Sequence, residues 1–149
     1  MSVDPADPLR QFGAAPTCDE IEEIARRQME ALPAEFLALA GHVALRVEEF
    51  PDEEILLDME IGDPFELAGL YQGVPATEKS VAEIVHAPDM VLLFRRPILD
   101  WWAEGGMALE ALIRHLVVHE IGHHFGFSDA DMERIEALAE EQGRDRDIV

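Results

Sequence analysis

Two histidines and a glutamate in the run His119-Glu120-Ile121-Gly122-His123 have the types and spacing that zinc-dependent hydrolysis requires. Residues four apart lie on one face of a helix, about one turn apart, so the two imidazoles can converge on one Zn²⁺. Glu120 follows the first histidine, and its carboxylate therefore lies beside the metal, where it can accept a proton from a zinc-bound water. The spacing predicts His119 and His123 as metal ligands and Glu120 as the catalytic base.

A catalytic zinc usually has three protein ligands and a water, so the two histidines need a third partner. Gly126 lies three residues after His123, where a helix that ends in a left-handed glycine would reverse the chain. That reversal would bring Asp129 back to the metal, and the pattern becomes HExxHxxGxxD. If Glu133 or Glu136 on the following helix were needed instead, the site would be of the glutamate-ligand type.

The alternative is that His119 and His123 are core histidines and that Asp129 is the N-cap of the next helix. Ser128 argues against this, because it can be the N-cap itself, with Asp131 three residues further on. In that arrangement the Asp129 carboxylate is free to bind metal.

Four further residues carry reactive side chains without matching a ligand position. His115 and His124 are expected next to the metal site or at the surface, and His115 could aid charge stabilisation. Tyr71 could stabilise an oxyanion near the metal, but packing under a loop is the favoured role. Cys18 could be a thiol that blocks the metal, but a residue at the start of a helix is the favoured interpretation. A thiol switch needs exposure and a lowered pKa.

The composition narrows the classes of function. The chain has 149 residues, one cysteine and a formal net charge of −21. Such a charge opposes binding to phosphate backbones and to anionic membranes, and one cysteine fits a reducing compartment. The N-terminus lacks the basic and apolar regions of a signal peptide, and no apolar run reaches spanning length. We therefore expect a cytoplasmic monomer whose partner is a peptide or protein substrate, with no nucleic acid and no membrane.

The elements that must position the motif can be read from the apolar pattern. A broad apolar face predicts a motif helix over residues 107–125, and Met132, Ile135 and Leu138 predict an amphipathic helix after it. Thr17 and Glu20 form a capping box that begins an N-terminal helix. Residues 43–47 alternate as a half-buried strand, residues 90–94 form a short apolar strand, and residues 81–85 form a weak one. Residues 70–75 are expected to form a turn.

The domain boundaries follow from composition. Residues 1–16 hold three prolines, two aspartates and little apolar content, which is typical of a mobile tail. Residues 17–142 are predicted to form one domain, and residues 143–149 a charged tail.

The run HEIGHHFGFSD, with LAGLYQGVP and VLLFRRPIL upstream, resembles the minimal zincin family of small bacterial zinc metallopeptidases. The resemblance covers Ile21 to Leu138. It implies a short zincin core with zinc held by His119, His123 and Asp129, and with Glu120 as base. The HExxHxxG part also resembles metzincins, although their third ligand is usually His and a later methionine turn is missing here.

The resemblance also bears on substrate docking. In zincins the strand near the metal is an exposed edge that pairs with an extended substrate, and residues 90–94 are the candidate for that strand. Their continuous apolar character supports a fully buried central strand equally well.

These observations predict an α+β zincin-like single domain: a small mixed sheet, a motif helix beneath it, and flanking helices. The predicted function is zinc-dependent hydrolysis of peptide bonds with Glu120 as base. One alternative is a zinc-stabilised, non-catalytic interaction module. Another is a zinc-dependent endoribonuclease, which the −21 charge disfavours.

Overall fold

The structure, a computed structural model, describes residues 13–73 and 89–147, with side chains described as far as residue 142. The predicted strand at residues 81–85 and most of the predicted N-terminal tail lie outside these ranges. The elements, in chain order, are α1 (Cys18–Glu30), α2 (Ala34–Ala40), β1 (Ala44–Glu48), α3 (Glu53–Asp58), β2 (Gly69–Gln72), β3 (Met90–Phe94), α4 (Arg95–Glu104), α5 (Leu109–His124) and α6 (Asp129–Asp147).

The described strands form one mixed sheet in the order β1-β3-β2. The central strand β3 runs parallel to β1, with Val91 opposite Leu45, and antiparallel to β2, with Val91 opposite Tyr71. Four consecutive residues of β3, from Val91 to Phe94, are buried. A strand covered on both faces needs an apolar residue at every position, which accounts for its unbroken apolar run.

Residues 90–94 form the predicted strand, and its pairing on both sides confirms the central placement and excludes the exposed edge that the resemblance suggested. The expectation of a turn beside it is wrong. Residues 70–75 were expected to turn, whereas Gly69–Gln72 is strand β2. A four-residue segment with little intrinsic strand preference becomes a strand because β3 offers it a row of backbone partners, which local sequence does not reveal.

The sheet packs against α5, and α1 packs against both α5 and strand β1. Helix α1 begins as predicted, with Thr17 and Glu20 forming a complete capping box, and it buries Ile21, Ala25 and Met29. Each large apolar side chain that becomes fully buried stabilises the fold by about 1.5–3 kcal/mol. The core of α1, the sheet and α5 therefore holds the motif helix in a fixed position.

Helix α3 and a short 3₁₀ turn begin at aspartate caps. Asp52 accepts the N–H of Ile55 at the start of α3, and Asp63 caps the short 3₁₀ turn Pro64–Glu66. Helix α6 continues to Asp147, past residue 142, where the sequence placed the end of the domain. Among the described residues, no helix combines the length and the apolar content that crossing a bilayer requires.

Candidate metal centre

Helix α5 carries the motif, and its apolar residues determine which way the motif faces. Leu112, Ile113, Leu116, Val117 and Ile121 are buried in the core, close to the broad apolar face that the sequence predicted. Three histidines lie on the other side at successive turns. The rings of His115 and His119 are 3.9 Å apart between centroids, and those of His119 and His123 are 5.6 Å apart.

The end of α5 reverses the chain through Gly126, as predicted. This glycine has a φ of +78°, in the left-handed region that a side chain disfavours. The N–H of Gly126 donates to the His123 carbonyl over 3.2 Å, and the N–H of Phe127 donates to the Gly122 carbonyl over 2.8 Å. This pair of hydrogen bonds is a Schellman motif, and it satisfies carbonyls that the end of the helix would otherwise leave unpaired.

Helix α6 then begins with Ser128 as its N-cap. The N–H of Asp131 donates to Ser128 Oγ over 3.1 Å, and the N–H of Ser128 donates to Asp131 Oδ2 over 3.4 Å. This reciprocal arrangement is a capping box with aspartate at its third helical position. Capping is therefore performed by Ser128, and the exposed Asp129 carboxylate is left available for another role.

The structure brings the three predicted metal ligands together. One ligand atom from each of His119, His123 and Asp129 lies within 4.8 Å of the other two. We refer to these three residues as the aspartate cluster. Two imidazoles and one carboxylate are a donor set typical of zinc, and three protein ligands leave a position open for water or substrate.

A second group of possible ligands lies one turn further back along α5. His115, His119 and Glu136 also have ligand atoms within 4.8 Å of one another. We refer to them as the glutamate cluster. The Nδ1 atom of His115 lies 3.0 Å from Glu136 Oε1, and the Nε2 atom of His119 lies 3.5 Å from Glu136 Oε2.

Sequence reasoning missed the glutamate cluster as a unit. It placed His115 outside the ligand set and considered Glu136 only as a replacement for Asp129. Two signals were present. His115 and His119 repeat the four-residue spacing of His119 and His123, and Glu136 follows Asp129 by seven residues, which is two helical turns.

His119 itself suits a metal ligand. Its Nε2 atom is buried and makes no hydrogen bond within the part of the chain that the structure describes, although Glu136 Oε2 lies 3.5 Å away. Burial, reinforced by the neighbouring His115, lowers the pKa of His119 below its ordinary value, although Glu136 opposes the shift. The neutral ring offers a lone pair, and a buried nitrogen without a partner is costly unless something binds it. These donors therefore fit a zinc ion.

Glu120 lies where α5 meets the outer strand β2. Its Oε2 atom accepts a hydrogen bond from the Tyr71 N–H over 3.3 Å. A Cβ atom on Gly69 would lie 3.6 Å from Glu120 Cγ, which is an ordinary van der Waals distance and shows that the strand and the motif helix lie side by side here. Burial raises the pKa of Glu120, while the Tyr71 N–H and His123 pull it down. A carboxylate with a raised pKa holds a proton more strongly, which suits a general base.

Tyr71 has the packing role that the sequence favoured, and it also has a specific partner. Its hydroxyl donates to Asp89 Oδ2 over 2.6 Å, and its ring stacks on His124 with centroids 3.9 Å apart. Burial and the Asp89 carboxylate both raise the pKa of the phenol. Tyr71 is therefore uncharged and fixes β2 through its hydrogen bond and its ring stacking. His124 packs on the Tyr71 ring and belongs to neither metal cluster.

Comparison with known proteins identifies the family of the chain. The sequence profile of the zincin-like metallopeptidases matches residues 40–138, which include the sheet, the motif helix and the first part of α6. No curated protein matches the sequence. Because the profile covers about two thirds of the chain, this protein belongs to the zincin-like metallopeptidase family.

Proposed function

We propose that the protein is a zinc-dependent peptidase that holds its metal with His119, His123 and Asp129. The observation that carries the proposal is that the ligand atoms of these residues lie within 4.8 Å of one another, with His119 and His123 on the same helix as Glu120 and Asp129 at the start of the next. Glu120 lies three residues before His123 on α5, about one helical turn, which supports its role as base, because a base must lie beside the metal without occupying it. Family membership supports the same class of reaction.

The chemistry divides between the ion and the chain. Zinc, when bound, supplies a Lewis acid that polarises the scissile carbonyl and lowers the pKa of water. Glu120 takes the proton from the attacking water and later delivers it to the departing amine. The Tyr71 N–H orients this carboxylate, and the raised pKa of Glu120 favours the first transfer. The apolar core behind α5 keeps the histidines fixed throughout.

Strand β2 is suited to binding a substrate peptide in an extended conformation. Within the described residues, β2 pairs with β3 on one side only, and its Tyr71 N–H points to Glu120. An outer strand next to the base can hold a peptide by main-chain hydrogen bonds, which is a common mode of peptide recognition. The net charge of −21 favours basic peptides over acidic ones. We further propose that the protein works as a monomer in the cytoplasm.

A peptide-library screen tests the proposal. Purified protein with one equivalent of Zn²⁺ is incubated with a mixed-sequence library, and new termini are identified by mass spectrometry. We expect cleavage that a chelator abolishes and that added Zn²⁺ restores, with basic peptides preferred over otherwise identical acidic ones. Normal zinc binding without cleavage of any peptide would instead support the non-catalytic interaction module.

A further inference from the structure

Helices α5 and α6 face each other through two matched sets of possible metal ligands. Helix α5 supplies His115, His119 and His123 at intervals of one turn, and α6 supplies Asp129 and Glu136 two turns apart. The aspartate cluster and the glutamate cluster use the two ends of this arrangement, and His119 belongs to both.

We propose that His115, His119 and Glu136 form a second zinc site, which competes with the hydrolytic site for His119. The proposal rests on the assignment of the aspartate cluster as the hydrolytic site. It describes a non-catalytic position for the ion within the same pair of helices.

The donors of the glutamate cluster are already arranged around a common point. Each oxygen of the Glu136 carboxylate faces a different imidazole, at 3.0 Å from His115 Nδ1 and 3.5 Å from His119 Nε2. Two histidines and one glutamate are an established set of protein ligands for zinc. The side chain of His115 is 42% exposed, so an ion can reach this position from solvent.

The chemistry of His119 allows only one of the two clusters to hold a zinc ion at a time. A neutral imidazole has one nitrogen that carries a proton and one that carries a lone pair, so it binds one metal ion. Zinc in the glutamate cluster therefore leaves the hydrolytic site with two protein ligands, His123 and Asp129. The same limit makes the expected stoichiometry one ion per chain, although the chain has two sets of ligands.

Among the described residues, the carboxylate assigned as base lies beside the aspartate cluster. The Glu120 carboxylate is held by the Tyr71 N–H of strand β2, and Glu120 lies about one helical turn from His123, which belongs to the aspartate cluster alone. Glu136 would be occupied as a ligand. An ion in the second site is thus stored in an inactive position, and its move to His123 and Asp129 restores the catalytic arrangement.

Zinc affinity measured by competition with a chromophoric chelator tests the second site without reference to activity. The variants are Asp129→Asn, Glu136→Gln and the double variant, with Glu133→Gln as a matched control, because Glu133 is exposed on the same helix. We expect Asp129→Asn to retain one ion more weakly than the wild type. Adding Glu136→Gln should weaken it by more than the roughly 10–100-fold that is typical when only a group outside the ligand set is removed, whereas adding Glu133→Gln should not weaken it.

His115→Asn provides an independent route to the same test, because His115 is half-exposed and its replacement spares the core. Combined with Asp129→Asn, it should reproduce the loss caused by Glu136→Gln. The proposal is overturned if Asp129→Asn retains no zinc, or if neither added change weakens the remaining binding. Failure of the peptidase proposal is distinguishable, because it would appear as absent cleavage by the wild type with these affinities unchanged.

Discussion

The backbone N–H of Tyr71 donates a hydrogen bond to the Glu120 carboxylate over 3.3 Å, although the two residues are 49 positions apart in the chain. The contact joins the outer strand of the sheet to the motif helix. Because the same strand is our proposed docking edge, a peptide that pairs with it would be aligned with the group that activates water. The phenol of Tyr71 donates a hydrogen bond to Asp89, which ties β2 to the residue that precedes β3.

Glu120→Gln should separate catalysis from metal binding. The variant keeps the size of the side chain and leaves His119, His123 and Asp129 in place, and its amide oxygen can still accept the Tyr71 N–H. We expect normal zinc content, nearly normal thermal stability and a rate of peptide cleavage lower by about 10²–10⁴-fold, because the base is lost. Zinc analysis, thermal melting and cleavage assays check this. Unchanged turnover would show that another residue is the base. Loss of zinc would show that Glu120 is a metal ligand or that it holds a metal ligand in position.

Asp129→Ala should weaken zinc binding markedly, by more than the 10–100-fold that is typical when only a group outside the ligand set is removed. His115→Ala should leave the wild-type affinity nearly unchanged, because the aspartate cluster remains complete. The measurement is zinc affinity by chelator competition, with each variant checked for folding by circular dichroism. A wild-type affinity in Asp129→Ala would contradict its assignment as the third ligand.

Ser128→Ala is the matched control for that variant, since the two residues are neighbours with different roles. Removing the N-cap should lower the free energy of unfolding by about 1 kcal/mol and leave zinc affinity intact. Asp129→Ala should instead weaken zinc binding and leave the N-cap of α6 intact.

Gly122→Ala should loosen the contact between α5 and α6. A Cβ atom at this position would lie 2.5 Å from Met132 Sδ and 2.9 Å from Met132 Cγ, inside the core. Overpacking of this kind costs about 1–3 kcal/mol, which exceeds the gain of up to about 1 kcal/mol from replacing a helical glycine. We expect lower stability in denaturant titrations and weaker zinc binding, because Asp129 moves with α6. Gly62→Ala, which meets open space, is the control, and equal stability of the two variants would exclude the clash.

Cys18 should be nearly inert near neutral pH. Burial and the hydrogen bond to Glu49 raise its pKa to about 11. At pH 8 the thiolate fraction is then about a hundredfold below that of an ordinary cysteine, so alkylation by iodoacetamide should be slower by about that factor. The rate should rise until about pH 11. Because the folded state holds this proton more tightly, the associated stability is present below the unfolded pKa and is lost as the pH rises through the folded one.

Glu49→Gln tests the cause of that shift. It removes the hydrogen bond and the negative charge but not the burial, which is the largest contribution. Alkylation should therefore accelerate only in part, and a rate equal to that of an unfolded control would show that burial contributes nothing.

The sequence by itself determined the parts of the site that depend on neighbouring residues. The spacing of His119 and His123, the left-handed turn at Gly126 and the cap at Ser128 involve hydrogen bonds and helical periodicity over a few positions. Local rules of this kind act wherever the segment lies in the fold. They were sufficient to predict that Asp129 turns back toward the two histidines.

Only the tertiary structure decided what meets across long stretches of chain. The strand character of Gly69–Gln72 and the central place of β3 come from pairing, because a strand needs partners that its own sequence does not specify. The pairing of His115 with Glu136 depends on which faces of α5 and α6 are buried against each other. These contacts are set by the packing of the whole core, and that packing gives Glu120 its strand partner and His119 its two possible sets of ligands.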